Sequence, residues 1–304
     1  MKYGDPGYID REDMFRFYFF CKQTPDYESA AFLSGSAGGR DSFWNSVNKV
    51  RSHLNLVMDE IDWSRRLDPF NHCPHFPYFV THMVDAMPVA CVGGALSDVL
   101  FNPKCGKDCW KVTVAVDFLG NIVWICPLSP GTTPDVLIWD KEGPQRARGD
   151  FFDYETGIHD GAYKGRVHTV IPFVGRKKLS DRQGEYNGVH SWYRARGEHI
   201  FAHLWHWKVV RSIWTGSDTN LHETMRVLLH TTQFLRNRKV LYQPYGPWDH
   251  IPRGVWSTTT ASNVPADEAD DTESACQLCY SHSDTVCKNC DLHFCQRCHD
   301  FHTC

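Results

Sequence analysis

The chain has 304 residues, 42% of them hydrophobic, with 11 tryptophans, which suits one large folded domain or two smaller ones and argues against bulk disorder. A net charge of −4 sets it apart from chains that are basic throughout and bind nucleic acid by charge alone. No apolar run approaches the roughly 18 residues of a transmembrane helix, and the opening MKYGDPGYIDRED lacks the basic-then-apolar pattern of a secretory signal. The expectation is an intracellular protein whose cysteines stay reduced and serve metals or cores.

In chain order, residues 9–35 carry apolar side chains at helical spacing, and residues 35–42 (GSAGGRDS) read as a loop. Residues 43–61 form an amphipathic helix through Phe43, Val47, Val50, Leu54 and Ile61. An irregular His- and Pro-rich connector covers 62–76. Residues 79–89 (FVTHMVDAMPV) predict a buried strand, followed by strands over 110–118 and 122–126 around a Gly120-Asn121 turn. Residues 135–139 read as the first turn of a helix, 156–163 and 167–173 as two short strands, and 192–214 and 221–239 as two helices. Trp192, Trp205, Trp207 and Trp214 follow the inner faces of the first of these helices. Residues 242–275, rich in Pro, Ser, Thr and Asp, read as a linker.

The central strand holds one carboxylate, Asp85. A charge there is costly unless a metal or partner base binds it, or unless the aspartate caps a turn at the strand end. The order of three antiparallel strands, a helix, two strands and a long helix matches an α/β, RNase H-like mixed sheet in which the first and fourth strands are neighbours. Asp85 then lies on the first strand, Asp160 on the fourth, and Glu198 on the helix after the fifth. Such a cluster of hard oxygens is not stable as three bare charges, and two Mg²⁺ or Mn²⁺ ions suit it. Ions so held activate water and stabilise the leaving oxygen of a phosphodiester.

Five segments carry a resemblance. YRARGEHIFAHL (193–204) resembles the "RARVEHxFAxLK" helix of cut-and-paste DDE transposases, of the Harbinger type and the related bacterial insertion-sequence enzymes. PLSPGTTPDVLIW (127–139) is similar to their "PGSxHDSxIL", GIHDGAYKG (157–165) to "LxGDxGYxG", VDAMPV to the "VDGTxI" strand of the first aspartate, and GEYNGVHSWYRAR to "FNxxHSxxR". The order and spacing agree over about residues 60–215. The resemblance implies metal-dependent cleavage of double-stranded DNA, with strand transfer as a further step, and action in the nucleus. Asp85, Asp160 and Glu198 carry over as catalytic metal ligands, and Asp135 matches another aspartate of the pattern, leaving Asp135 and Glu198 as alternatives for the third ligand. The bland readings are a helix N-cap for Asp135, a turn residue for Asp160, and for Glu198 a surface partner of Arg194 or Arg196.

There are departures. Trp205 stands where the family helix has a lysine, with Lys208 nearby, and Ala86-Met87 replace a small polar pair. No helix-turn-helix precedes the nuclease region, so the expectation includes a truncated, decayed or domesticated copy. The second reading is a catalytically inactive scaffold that binds DNA.

Charge is uneven. Residues 160–240 hold 14 Lys and Arg against 6 Asp and Glu, and residues 265–275 hold five acids and no base. Arg176, Lys177, Lys178 and Arg182, with Arg166, Arg194, Arg196, Lys208 and Arg211, can line a track of phosphate contacts, or form an ordinary solvated loop. The tail from Cys276 holds seven of the 13 cysteines, with three C-x2-C pairs. That spacing predicts two structural Zn²⁺ sites in a cross-brace: Cys276, Cys279, Cys295 and Cys298 for one ion, Cys287, Cys290, His302 and either Cys304 or His299 for the other. It resembles the cysteine-rich C-terminal domain of piggyBac-type transposases, and also RING, B-box and PHD-like cross-braces, so its implied partner is DNA or another protein. Cys105 and Cys109 read as loop residues. The domain plan is a helical region at 1–76, a nuclease domain at 77–240, a linker at 241–275 and a zinc module at 276–304. No membrane is implied, and homo-oligomers are left open.

Overall fold

The computed structural model describes residues 8–68, 71, 73, 75–147, 151–174, 179–238, 285–286 and 293–294. Helices α1 (Arg11–Gln23), α2 (Tyr27–Leu33) and α3 (Gly39–Val57) come first. Asp10 and Asp26 start the first two by accepting the N–H groups of Asp13 (2.8 Å) and Ser29 (2.9 Å). Thr24, left-handed at φ 44°, ends α1 and divides one helical stretch of sequence into two helices.

Strand β1 (Val80–Ala90) is central. A short helix α4 (Ser97–Leu100) and strand β2 (Phe101–Asn102) lead into β3 (Lys107–Asp117), then β4 (Ile122–Ile125) and β5 (Ser129–Pro130). Helices α5 (Asp135–Glu142) and α6 (Pro144–Ala147) precede β6 (Thr156–Ile158) and β7 (Thr169–Val170). The sheet order is β2-β3-β1-β6-β7, with β4 and β5 also pairing β3. β1 runs antiparallel to β3 and parallel to β6, and β6 runs parallel to β7. The strand over 79–89 and the first strand of the second half are therefore neighbours, and the mixed sheet with its flanking helices is consistent with an RNase H-like nuclease fold. Strands β8 (Thr285–Val286) and β9 (His293–Phe294) pair antiparallel.

The long helix differs from expectation at both ends. α7 spans Asp181–Leu204 because Ser180 and Gln183 form a capping box, which offsets the cost of Gly184 and Gly188 in its first turns. It ends at Trp205, and α8 (Lys208–Arg211) and α9 (Asp218–Asn237) follow. The four tryptophans therefore do not share one helix: Trp214 is buried, Trp192 and Trp207 are partly buried against the core, and Trp205 is 52% exposed. The strand expected over 156–163 stops at Ile158, where Asp160 caps the 3-10 turn Gly161–Tyr163.

Two apolar clusters flank the sheet. One unites Phe17 and Phe43 of α1 and α3 with Met83, Val112, Tyr193 and Leu228, so the N-terminal helices share a core with the sheet, α7 and α9. The other joins Trp63, Val84, Ala115, Ile138 and Tyr163 on the side of α5. Beside the second lies a fully buried ion pair. Arg66, stacked 4.1 Å over Trp63, donates both Nε and Nη2 to Glu155, the latter at 2.8 Å, and Thr81 of β1 donates to the same carboxylate at 2.6 Å. Burial works to raise the Glu155 carboxyl, but the Arg66 and Thr81 hydrogen bonds outweigh it and hold it below its ordinary value. The pair ties the 62–76 connector to β1 and to the start of β6. Glu155→Gln leaves the guanidinium buried without its counter-charge and should cost about 3–5 kcal/mol in denaturant unfolding. A loss below about 1 kcal/mol would show that the pair contributes little beyond its packing.

Candidate active site

The sheet register assembles the site. Met83 of β1 pairs with Ile158 of β6, and two residues further along these parallel chains stand Asp85 and Asp160. β6 ends at Ile158, so Asp160 stands just past the end of the strand beside β1, and its charge is felt by Asp85. Asp160 accepts the Ala162 N–H through Oδ1 at 2.7 Å. Asp85 shares the strand face of Met83 and Met87, beneath α7. That helix crosses so close that a Cβ at Gly197 would lie 3.1 Å from the Cβ of Asp85 and 3.7 Å from its Oδ2. The missing side chain seats Glu198, and Arg194 one turn earlier, beside Asp85. Arg194 donates Nη1 to Asp85 Oδ2 at 3.3 Å and Nη2 to Glu198 Oε1 at 2.7 Å. Asp85 Oδ1 accepts the Ala86 N–H at 2.9 Å.

These groups sense one another. Burial pushes the Asp85 carboxyl up to about 6; Arg194 and the Ala86 amide pull it down, and Glu198 and Asp160 push it further up. The buried hydroxyl of Tyr163 is raised first by burial and then by the charges of Asp135, Asp160, Cys126 and Asp85. Asp135 is itself paired: Lys111 of β3 reaches it at 2.8 Å and also donates to the Thr133 carbonyl at 2.7 Å.

The structure joins Asp85 to Glu198 through Arg194, sets Asp160 two residues past the end of the neighbouring strand, and pairs Asp135 with Lys111. Among the described residues, no three His, Cys, Asp or Glu side chains stand close enough together to hold a metal ion as they are. The donor chemistry nevertheless fits a hard divalent cation, with carboxylate oxygens around a partly desolvated aspartate and a guanidinium already bridging two of them. Glu198 is 55% exposed and is also the i,i+4 partner of Arg194, the bland reading of the sequence, and Asp160 also caps its turn. Trp205 donates its indole N–H to Met87 Sδ at 2.9 Å, which sets the departure from the family helix two residues along β1 from Asp85.

Of the basic residues, Arg176, Lys177 and Lys178 lie outside the described residues. Arg182 and Lys208 are exposed, and Arg166 pairs with Asp140 at 3.3 Å. Arg196 departs from expectation. It is buried, its guanidinium 4.0 Å over Trp192 and 4.9 Å over Tyr193, because its position on α7 turns toward the core rather than toward an exposed phosphate track. Cys276, Cys279, Cys287, Cys290, Cys295, Cys298, His299, His302 and Cys304 lie outside the described residues. Cys105 is exposed in the turn joining β2 and β3. Sequence reasoning passed over Lys111, Tyr163 and Gly197. Lys111 was findable as the lone charge inside WKVTVAV, by the same logic as Asp85, and Gly197 as the residue standing where the family helix has valine.

The raised Asp85 carboxyl has a consequence for stability. The unfolded chain ionises near pH 4 and the folded one near 6, so the folded state binds the extra proton between them and stability falls as pH rises through that window. In metal-free buffer, Asp85→Asn should therefore melt higher than the parent by a margin that opens from pH 4 to 6 and then stays level, worth roughly 2–3 kcal/mol. Melting curves across that range check it; a margin that closes with rising pH contradicts the account.

Comparison with known proteins bears on the same region. Residues 89–237 match the family described as "DDE superfamily endonuclease"; the match takes in Asp135, Asp160 and Glu198 and begins four residues after Asp85. A Streptomyces albus G protein whose given name is that of a transposase for insertion sequence element IS112 is 34% identical over 98 residues, which are 31% of this chain and 36% of that protein. The chain thus spans about a third of the length of that relative. No solved structure matches. Residues 89–237, which hold most of the sheet's flanking elements and three of the four candidate carboxylates, are similar in sequence to the DDE superfamily endonucleases.

Proposed function

We propose that this chain is a transposase-derived DNA endonuclease of the Harbinger type, which cleaves phosphodiesters in double-stranded DNA, with strand transfer left open. The observation that supports it most is the parallel β1–β6 pairing, which ends at Met83 and Ile158, two residues before Asp85 and Asp160, with Arg194 of α7 bridging Asp85 to Glu198. Two bound Mg²⁺ or Mn²⁺ ions would supply an activated water and neutralise the leaving oxygen. Asp85 and Asp160 would hold them, with Glu198 as the third ligand in preference to Asp135, since Glu198 shares a cation with Asp85 while Lys111 occupies Asp135. Arg182, Lys208 and the basic segment 176–178 would contact phosphates without reading sequence, so binding weakens with salt. The enzyme would act in the nucleus.

A second reading, an inactive DNA-binding scaffold, draws on the same guanidinium, which already neutralises Asp85 and Glu198. Supercoiled plasmid incubated with Mg²⁺ or Mn²⁺ separates the two. The endonuclease nicks it, and Asp85→Ala and Asp160→Ala each lower the rate by at least about a hundredfold, the scale on which loss of a charge-stabilising group acts. Nicking absent in the parent, or unchanged in both variants, leaves the scaffold.

For the tail, the proposal is a two-zinc cross-brace that contacts DNA ends or a partner protein. The β8–β9 pairing supports it, because Cys287 directly follows one strand and Cys295 the other. Two zinc ions per chain are expected by atomic absorption of the full-length protein, and a stoichiometry near zero would end the cross-brace.

A further inference from the structure

We propose that Arg194 is an internal counter-cation that occupies the carboxylate site and has to be displaced before a divalent ion can bind. This rests on the reading of Asp85, Asp160 and Glu198 as a divalent-ion site. One guanidinium spans two carboxylates, with 3.3 Å to Asp85 Oδ2 and 2.7 Å to Glu198 Oε1. It therefore takes an oxygen on each that an ion would need, and it places a full positive charge where a second cation would have to sit. α7 crosses β1 closely at Gly197, where an added Cβ would lie 3.1 Å from the Cβ of Asp85. The side chain is what can move. Arg194 is 28% exposed and Asp85 20%, so the guanidinium lies at the mouth of the site with a path to solvent. Released, it is a planar donor suited to a phosphate oxygen pair, the chemistry that a DNA backbone brings to the same place. Arg194 is thus a positioning residue: it holds the apo site together against the mutual repulsion of its carboxylates and sets the threshold for metal loading.

The test is the affinity for Mn²⁺ alone, read by calorimetry or by the spectroscopic signal of the free ion, on the full chain at one fixed pH. Arg194→Met keeps the apolar stem and removes the charge. It should bind Mn²⁺ at least about tenfold more tightly than the parent, since a competing cation contributes a coupling of that order. Arg194→Lys keeps the charge but not the two-point bridge and should fall between them; it also carries the test if the methionine variant does not fold. Equal or weaker affinity in both variants overturns the proposal, because a merely structural ion pair or a DNA contact would leave Mn²⁺ binding unmoved. Asp85→Asn separates the two levels of the argument. If Mn²⁺ binding is abolished by Asp85→Asn yet indifferent to position 194, only the role of Arg194 fails. If no variant binds Mn²⁺, or Asp85→Asn binds it as the parent does, the metal-site reading fails and the proposal with it.

Discussion

Keeping an ionisable carboxylate half-buried in the central strand is the constraint from which the rest of the site follows. Asp85 loses solvation on β1, and two further acids raise the cost of its charge. Something positive has to compensate. In the structure it is Arg194, delivered by a helix that crosses the aspartate so closely at Gly197 that an added Cβ would lie 3.1 Å from the Cβ of Asp85. The closeness of that helix, its turn of cationic and acidic residues and the strand beneath form one electrostatic unit.

The surrounding fold makes that unit rigid. α7 is capped at its start by Ser180 and Gln183 and buries Tyr193, Ile200 and Leu204 in the core shared with the N-terminal helices. On the opposite face, the buried Arg66–Glu155 pair links the connector before β1 to the chain entering β6. β1, which carries Asp85, and β6, which leads into Asp160, are thus held from below by a satisfied ion pair and from above by a packed helix. A site built on such elements keeps its geometry better than one built on loops.

Two cation–carboxylate pairings lie on opposite sheet faces: Arg194 with Asp85 and Glu198, and Lys111 with Asp135. Each of the two candidates for the third ligand is thus already engaged. They differ in their neighbours, because Glu198 shares its cation with Asp85 and Asp135 does not. The similarity of residues 89–237 to DDE endonucleases covers both candidates and so does not choose between them.

Much was legible in the sequence. Period-2 runs such as WKVTVAV marked the strands, apolar spacing marked α3 and α9, and a lone charge in FVTHMVDAMPV marked Asp85, because local periodicity and the cost of burying charge act within a few residues. The neighbourhood of the first and fourth strands was readable from element order, since parallel strands need a crossover and few topologies satisfy one. α7 starts eleven residues before the helix expected over 192–214, because the capping box of Ser180 and Gln183 nucleates it there. What only the tertiary structure decided is which cation meets which carboxylate. The pairing of Arg194 across 109 residues to Asp85, and of Lys111 to Asp135, depends on helix crossing distance and sheet face. Those are set by packing between segments far apart in the chain, and no local pattern encodes them.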